Sequence, residues 1–338
     1  MSHDLQTFSW NIWTGNESEW NAAISHLDSK SAYQSAEWSQ HKTNSGWSVR
    51  RLAYSDGIGQ IQAAAQCLFR KGPLKTAVVW IPGGPCGDFK AIDHLFVSML
   101  KRNLQVSFIY LRLGITNVHD DDRSNALSAS GWKSCSESIG AQSSLVIDLS
   151  SPDELRFEAM SSDWKRNLKR SGKHDLTCFQ WQNPDAQIIA DAIQQMGQIK
   201  KIGSAKLRNS VAELQSLIDS FGKQLLVVRC DSPSGVLLSI RGVLVTGNQA
   251  RELFAATTLE GRDCQASYAS FEFLLSVLKQ IEVQHFDLGG VDELNNPGVF
   301  SFKMGTGAKP ITYLGDWEIS QPTWFMRLAS KIVISRAN

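Results

Sequence analysis

Apolar positions along this chain recur with two periods. Continuous or alternating runs predict strands, and positions three and four apart predict helices. Residues 49–54 and 60–69 are two strand-like runs separated by Asp56-Gly57, a tight hairpin signal. A third, at 76–81, stops at Pro82-Gly83-Gly84-Pro85, which forces a close turn. Residues 91–102 carry Ile92, Leu95, Phe96, Met99 and Leu100 at helical spacing, and strands follow at 106–113 and 145–149. Upstream, 31–47 predicts a short helix that contains Trp38 and ends at Gly46. The first 30 residues are mixed and polar, with Trp10, Trp13 and Trp20 as packing anchors. Residues 114–142 are rich in Ser and Asp and read as a loop excursion. Its His119-Asp120-Asp121-Asp122 run lacks a second ligand pair at metal spacing, so it reads as solvated rather than as a metal site.

The pattern restarts at Ser151-Pro152-Asp153, a helix N-terminus signal. Phe157, Met160, Trp164 and Leu168 form one apolar stripe, and Lys165, Arg166, Lys169 and Arg170 fall away from it. A strand at 176–181, helical stretches at 185–200 and 210–221, and strands at 224–230, 235–246 and 249–258 follow. A helix at 265–281 and a strand at 284–288 come next. The two halves share one order: helix, antiparallel strands joined by hairpin turns, helix, further strand. The pattern predicts a duplicated α+β unit, with mixed, largely antiparallel sheets flanked by helices. The expected domains are 1–150 plus 313–338, and 151–312, because 313–338 follows the completed second unit.

Composition narrows the class. Of 338 residues, 42% are apolar and 20% charged, which is ordinary for a globular protein. A formal net charge of +1 supplies no global attraction to nucleic acid or membrane, so an anionic partner must be held by a local cluster. None of the six cysteines is in CxxC spacing, which removes zinc-ribbon and thioredoxin motifs and suggests reduced core thiols in a cytoplasmic protein. The N-terminus does not read as a signal peptide, and no apolar run reaches membrane-spanning length.

The chemistry concentrates between His285 and Lys303. A strand breaks at Gly289-Gly290, crosses an acidic loop with Asp292 and Glu293, and re-enters apolar sequence in a strand–loop–strand pattern. Glycines there permit close approach of backbone to a ligand. Lys303 stands among Val299, Phe300, Phe302 and Met304, where its charge is partly desolvated and therefore strong. Two basic clusters, Lys165–Lys173 and Lys200–Arg208, suit phosphate groups or plain solvation. No P-loop, nucleophile elbow, dinucleotide fingerprint or metal-spaced histidine pair is present. Cations, tyrosines and a few carboxylates without an evident covalent nucleophile fit direct transfer of an activated acyl group to an amine or hydroxyl.

The chain resembles the FemABX peptidyltransferases and the related GNAT-like acyltransferases of bacterial envelope synthesis. Gln34-Ser35-Ala36-Glu37-Trp38 with Lys42 resembles the family's opening. The Ile81-Pro82-Gly83-Gly84-Pro85 loop, Tyr110-Leu111-Arg112 and Trp164–Arg170 follow in family order. Phe286-Asp287-Leu288-Gly289-Gly290 and Phe302-Lys303 are similar to its D-x-G-G…F-K signature. The resemblance implies two tandem GNAT-like domains with a cleft, the first on the acceptor side and the second on the donor side. It implies no bound cofactor, an aminoacyl-tRNA or acyl-CoA co-substrate, and a nucleotide- or lipid-linked precursor of peptidoglycan or surface polysaccharide as acceptor. Lys42, Arg112 and Arg208 would contact substrate, with Lys206 as the alternative to Arg208, and Tyr268 would be a cleft tyrosine. Lys165, Arg166, Lys169 and Arg170 would face donor phosphates, and Lys303 the acyl donor or oxyanion. Leu113-Gly114 stands where the family often carries an acid, so Asp287 or substrate assistance is expected to serve as the base. The family's helical-hairpin insertion has no counterpart. A cytoplasmic monomer is expected, with the 324–336 tail packed back on the first domain or making at most peripheral contact with the inner face of the membrane. The Gly114 departure also motivates a competing reading, a non-catalytic ligand-binding protein.

Overall fold

A computed structural model of the chain describes residues 8–56, 58–199, 210–326 and 329–330. In chain order, its first elements are β1 (Ser9–Ile12), α1 (Glu17–Ser25), α2 (Ala36–Asn44), β2 (Ser48–Ser55), β3 (Ile61–Gly72), β4 (Thr76–Pro82) and β5 (Cys86–Gly87). There follow α3 (His94–Leu104), β6 (Phe108–Val118), α4 (Asp121–Ala129), β7 (Lys133–Ser134) and β8 (Ser143–Asp148). Next come α5 (Asp153–Ala159), α6 (Ser162–Ser171), β9 (Thr177–Gln180), α7 (Ala186–Ile199) and α8 (Val211–Phe221). The remainder comprises β10 (Leu225–Asp231), β11 (Leu237–Thr246), β12 (Gln249–Thr257), α9 (Leu259–Asp263), α10 (Ala266–Gln280), β13 (His285–Gly290), α11 (Pro297–Gly305) and β14 (Lys309–Gln321).

The chain divides into two compact units, Met1–Gln142 with Thr312–Asn338, and Ser143–Ile311. In the first, the sheet order is β1-β2-β3-β4-β6-β14, with β5 against β3 and β7 against β14. All its ladders are antiparallel except β4–β6, which is parallel and bridged by α3. In the second, the order is β8-β13-β12-β11-β10-β9, antiparallel except for β12–β13, bridged by α9 and α10. β8 pairs with β13 and so belongs to the second unit, which begins at Ser143, ahead of residue 151.

Each unit closes its own core. In the first, Phe96, Val97 and Leu100 of α3 pack on Leu111 and Leu113 of β6. In the second, Phe271, Leu274 and Leu278 of α10 pack on Phe286 and Leu288 of β13.

Four local expectations are corrected. The 31–47 stretch is a short 3₁₀ turn at Ala32–Gln34 followed by α2, with the Ser35 hydroxyl accepting from Trp38 N at 3.2 Å. The polar 114–142 stretch extends β6 to Val118 and then forms α4, capped by the Asp120 carboxylate. Asp120 is a helix cap here because a carboxylate satisfies the first free amides. The 157–168 stripe breaks: Met160 is extended, Ser161 caps α6, and Phe157 is left 42% exposed. The segment carrying Lys303 is a helix, α11, and not a strand. Pro297 at its first turn has no amide to leave unpaired and a backbone angle already suited to a helix.

Because Phe286 is fully enclosed, Phe286→Ala is expected to destabilise the second unit by about 3–5 kcal/mol. Denaturant unfolding measures this, and a cost below about 1 kcal/mol would contradict the packing.

Candidate active site

The parallel pair differs between the units. β4 and β6 stay in register from Thr76–Phe108 through Pro82–Gly114. β12 and β13 pair only at Gln249–His285, Ala250–Phe286 and Arg251–Asp287, and then part. On its other edge β13 also loses register between Asp287 and Gly290. A bulge between Gly242 and Val243 on β11 inserts an extra residue on β12 beside Glu252. Bulges locally re-aim side chains. The opening between β12 and β13 is a cavity of about 500 Å³, lined by Glu252–Ala255, Leu288–Gly290 and the α11 residues Val299, Phe302 and Lys303.

Gly289 is required at this opening. Its φ is +73°, and a Cβ built there would lie 2.8 Å from the Glu252 carbonyl oxygen. Only glycine combines that backbone angle with that approach. Gly305 at the end of α11 has a similar constraint, since a Cβ there would meet the Trp164 ring at 2.8 Å. This close contact seats α11 on α6 and so sets where Lys303 enters the cavity.

Lys303 is 11% exposed. Its Nζ donates to the carbonyl oxygens of Gly290 at 3.1 Å and Gly289 at 3.3 Å, and stands 3.9 Å from Glu252 Oε2. Glu252 Oε1 accepts from Arg241 Nη1 at 2.6 Å. Arg241 is buried at 4% exposure, donates also to Ser267 O and Ser270 Oγ, and stacks on Phe271 and Phe302 with its guanidinium 5.0 and 5.1 Å from their centres. Burial pushes the Lys303 pKa below the ordinary lysine value; Glu252 pulls it back up, Arg241 adds to the depression and Asp287 opposes it. The local set Arg241, Arg251 and Lys303 against Glu252 and Asp287 leaves an excess of one positive charge. Such a site favours an oxyanion or another small anionic group.

The other candidates are distributed as follows. Asp287 accepts from Ser144 Oγ and Gly289 N and pairs with Arg251 at 3.4 Å; it does not line the cavity. Tyr268 sits in an aromatic cluster with Trp164 and Phe302, and its hydroxyl accepts from Asn167 at 3.0 Å. Lys165, Arg166, Lys169 and Arg170 are exposed on α6; Arg166 pairs with Asp163 at 2.7 Å, and Lys165 reaches the Glu158 carbonyl. These four do not line the cavity. In the first unit, Lys42 lies half-buried over the Trp38 ring at 5.0 Å. Arg112 is 1% exposed, with its guanidinium bonded to Asp316 at 2.7 Å and to the Glu137 carbonyl. Enclosed in this way it forms a buried ion pair within the first unit. Arg208 and Lys206, like Lys200 and Lys201, lie outside the described residues. In the tail, Trp324 and Phe325 pack on Phe108; 327–328 and 331–338 lie outside the described residues. Among the described residues no helix is long and apolar enough to cross a membrane, and no cluster of His, Cys, Asp or Glu is arranged for a metal.

Arg241 and Glu252 were not anticipated from sequence. The available signal was a lone charge, Arg241, inside the apolar β11, a placement that demands a partner; Glu252 stands beside Arg251 in the more polar β12. Sequence does not say which partner.

No protein-family model matches the chain, and no curated protein matches it in sequence. Solved structures match at the level of fold. FemX superposes with a TM-score of 0.79 at 14% identity, covering 97% of this chain and all of that one. A tandem GNAT protein from the clavulanic acid biosynthesis pathway gives 0.54 at 13% identity, covering 93% and 98%. The C-terminal domain of a putative lysylphosphatidylglycerol synthetase from Agrobacterium fabrum gives 0.51 at 13%, covering 94% and 98%. The chain therefore has the tandem GNAT-like α+β fold that its sequence resembles.

Glu252 is the carboxylate between two cations, so Glu252→Gln is expected to depress the Lys303 pKa further. A lysine with a depressed folded pKa destabilises the fold below that pKa, and the loss fades as pH rises toward 10.5. The stability gap between Glu252→Gln and the parent should therefore be widest near neutral pH and narrow in alkaline buffer. A gap independent of pH would show that Lys303 does not feel Glu252.

Proposed function

We propose that this protein is an acyltransferase of bacterial envelope synthesis, passing an aminoacyl or acyl group to an amine or hydroxyl of a peptidoglycan precursor or surface polysaccharide. The observation that carries the reading is the desolvated ammonium of Lys303 facing a cavity opened by the parted β12–β13 pair. The fold shared with FemX and with the tandem GNAT protein supports the class.

In this mechanism the donor's activated carbonyl enters the cavity of the second unit. The acceptor's lone pair adds to the carbonyl carbon, forming the new C–N or C–O bond and a tetrahedral oxyanion. Lys303 stabilises that oxyanion in an environment where water competes weakly. The intermediate collapses, the ester or thioester bond breaks, and the leaving oxygen or sulfur receives the electron pair and the acceptor's proton. Arg241 and Glu252 do not touch the reacting atoms in this scheme; they position Lys303. Asp287, held by Ser144, Gly289 and Arg251, orders the turn at the cavity edge. Lys42 in the first unit, and Arg208 or Lys206 in the second, are assigned to anionic groups of the substrates by resemblance. The acceptor is nucleotide- or lipid-linked and the donor is aminoacyl-tRNA or acyl-CoA.

Lys303→Met is expected to lower kcat by about 10²–10³-fold, the cost of removing one oxyanion donor. The same change removes a desolvated charge, so the melting temperature should stay level or rise. Near-parental turnover would sink the assignment. The donor is identified by offering the purified protein charged tRNAs and acetyl-CoA in separate reactions with envelope precursors, and detecting the product by mass. Product from one donor class is expected. A thermal shift with a donor but no product from either class would overturn the enzyme reading in favour of a binding protein.

A further inference from the structure

The β9–β10 ladder sets Cys178 directly opposite Cys230. Trp181 N donates to Val227 O at 2.7 Å, one step beyond the Gln180–Val228 pair of the same ladder. Hydrogen-bonded and non-hydrogen-bonded pairs alternate along an antiparallel ladder, so Cys178–Cys230 falls on a non-hydrogen-bonded position. At such positions Cα atoms stand about 4.5 Å apart and both side chains leave the same face of the sheet. That spacing lies within the roughly 4.4–6.8 Å that a disulfide spans.

The surroundings distinguish the two sulfurs. Cys230 is fully buried with Leu238 and Ala266, while Cys178 is half-buried at the rim of the same cluster, near Cys264. The neighbouring Cys230 thiol pushes the Cys178 pKa below the ordinary thiol value, against burial and the nearby Asp231 carboxylate. Asp231 is itself tied to Arg229 at 2.7 Å. The thiols of Cys67, Cys86, Cys135 and Cys264 are all pushed up, chiefly by burial. A half-buried thiol with a lowered pKa directly across the ladder from a buried partner thiol is the arrangement of an oxidation-sensitive pair.

We propose that Cys178 and Cys230 form a peroxide-responsive modification site that closes to a cross-strand disulfide between β9 and β10. The Cys178 thiolate attacks the peroxide oxygen; the O–O bond breaks, sulfur is oxidised to a sulfenic acid, and the departing hydroxide takes a proton to leave as water. Cys230 then attacks that sulfur, the S–S bond forms, and the sulfenic hydroxyl leaves with the Cys230 proton as a second water. Two thiols and one hydrogen peroxide thus give one disulfide and two waters, and a dithiol reductant reverses the change. The bond would pin β9, the edge strand of the second unit's sheet, just ahead of α7, whose Met196 lines the cavity. This site is independent of the acyl-transfer reading.

The test treats the full-length reduced protein with equimolar hydrogen peroxide, alkylates it, and maps the peptides by mass. The expected product has lost two hydrogens, carries a Cys178–Cys230 cross-linked peptide, and regains both thiols with dithiothreitol. Cys178→Ser, a change at a half-exposed position, should abolish the cross-link and leave Cys230 reduced; Cys230→Ser should instead leave Cys178 as an uncross-linked sulfenic acid or its over-oxidised forms. Peroxide-treated parent in which Cys178 stays free, ends as an unlinked acid, or bonds to Cys264 would overturn the proposal.

Discussion

The buried ion group Arg241–Glu252–Lys303 is the constraint around which the second unit is arranged. Taking three charges out of water costs several kcal/mol each unless every one finds partners. Arg241 finds Glu252, Ser267, Ser270 and two aromatic faces; Glu252 finds Arg241 and Lys303; Lys303 finds Glu252 and two glycine carbonyls. The β11–β12 bulge, the left-handed Gly289 and the seat of α11 on α6 each serve this one meeting of side chains. Removing Glu252 would leave two buried cations without their shared carboxylate. Yet Lys303 is not fully compensated, since its pKa remains depressed. A cation held short of full satisfaction at a cavity wall has free energy to gain from a developing negative charge.

The two units share an arrangement and diverge in how they treat it. Each has one parallel strand pair under a crossover helix. The first unit zips its pair through Pro82–Gly114 and fills the adjoining space with the Arg112–Asp316 ion pair. The second releases its pair after Arg251–Asp287. Where the ladder opens, the Gly289 and Gly290 carbonyls accept from Lys303. The same architecture thus gives one parallel pair that stays zipped and one that parts.

Much of the layout was legible along the chain. Apolar runs such as 60–69 and 76–81 marked strands, and Pro82-Gly83-Gly84-Pro85 marked the end of one, because those signals are local. Where expectation failed, a non-local or capping interaction decided. The 157–168 stripe looked like one helix, but Ser161 caps a new one. Lys303 looked like part of a strand, but Pro297 and a close contact with Trp164 make its segment a helix. Arg112 is tied to Asp316, two hundred residues on, a partner that nothing near it in sequence announces.

By itself, then, the sequence determined the alternation of elements, the two-unit α+β repetition, a net charge of +1 that supplies no global pull toward nucleic acid, and Lys303 as a cation in apolar company. These follow from periodicity and composition, which a linear chain displays openly. Tertiary structure alone decided which carboxylate meets that lysine, where the parallel ladder opens, and which thiols face each other across strands. Those outcomes depend on register and on contacts between residues far apart in the chain. A shift of one position in a ladder turns every side chain to the other face, and apolar spacing does not encode which strand will be the neighbour.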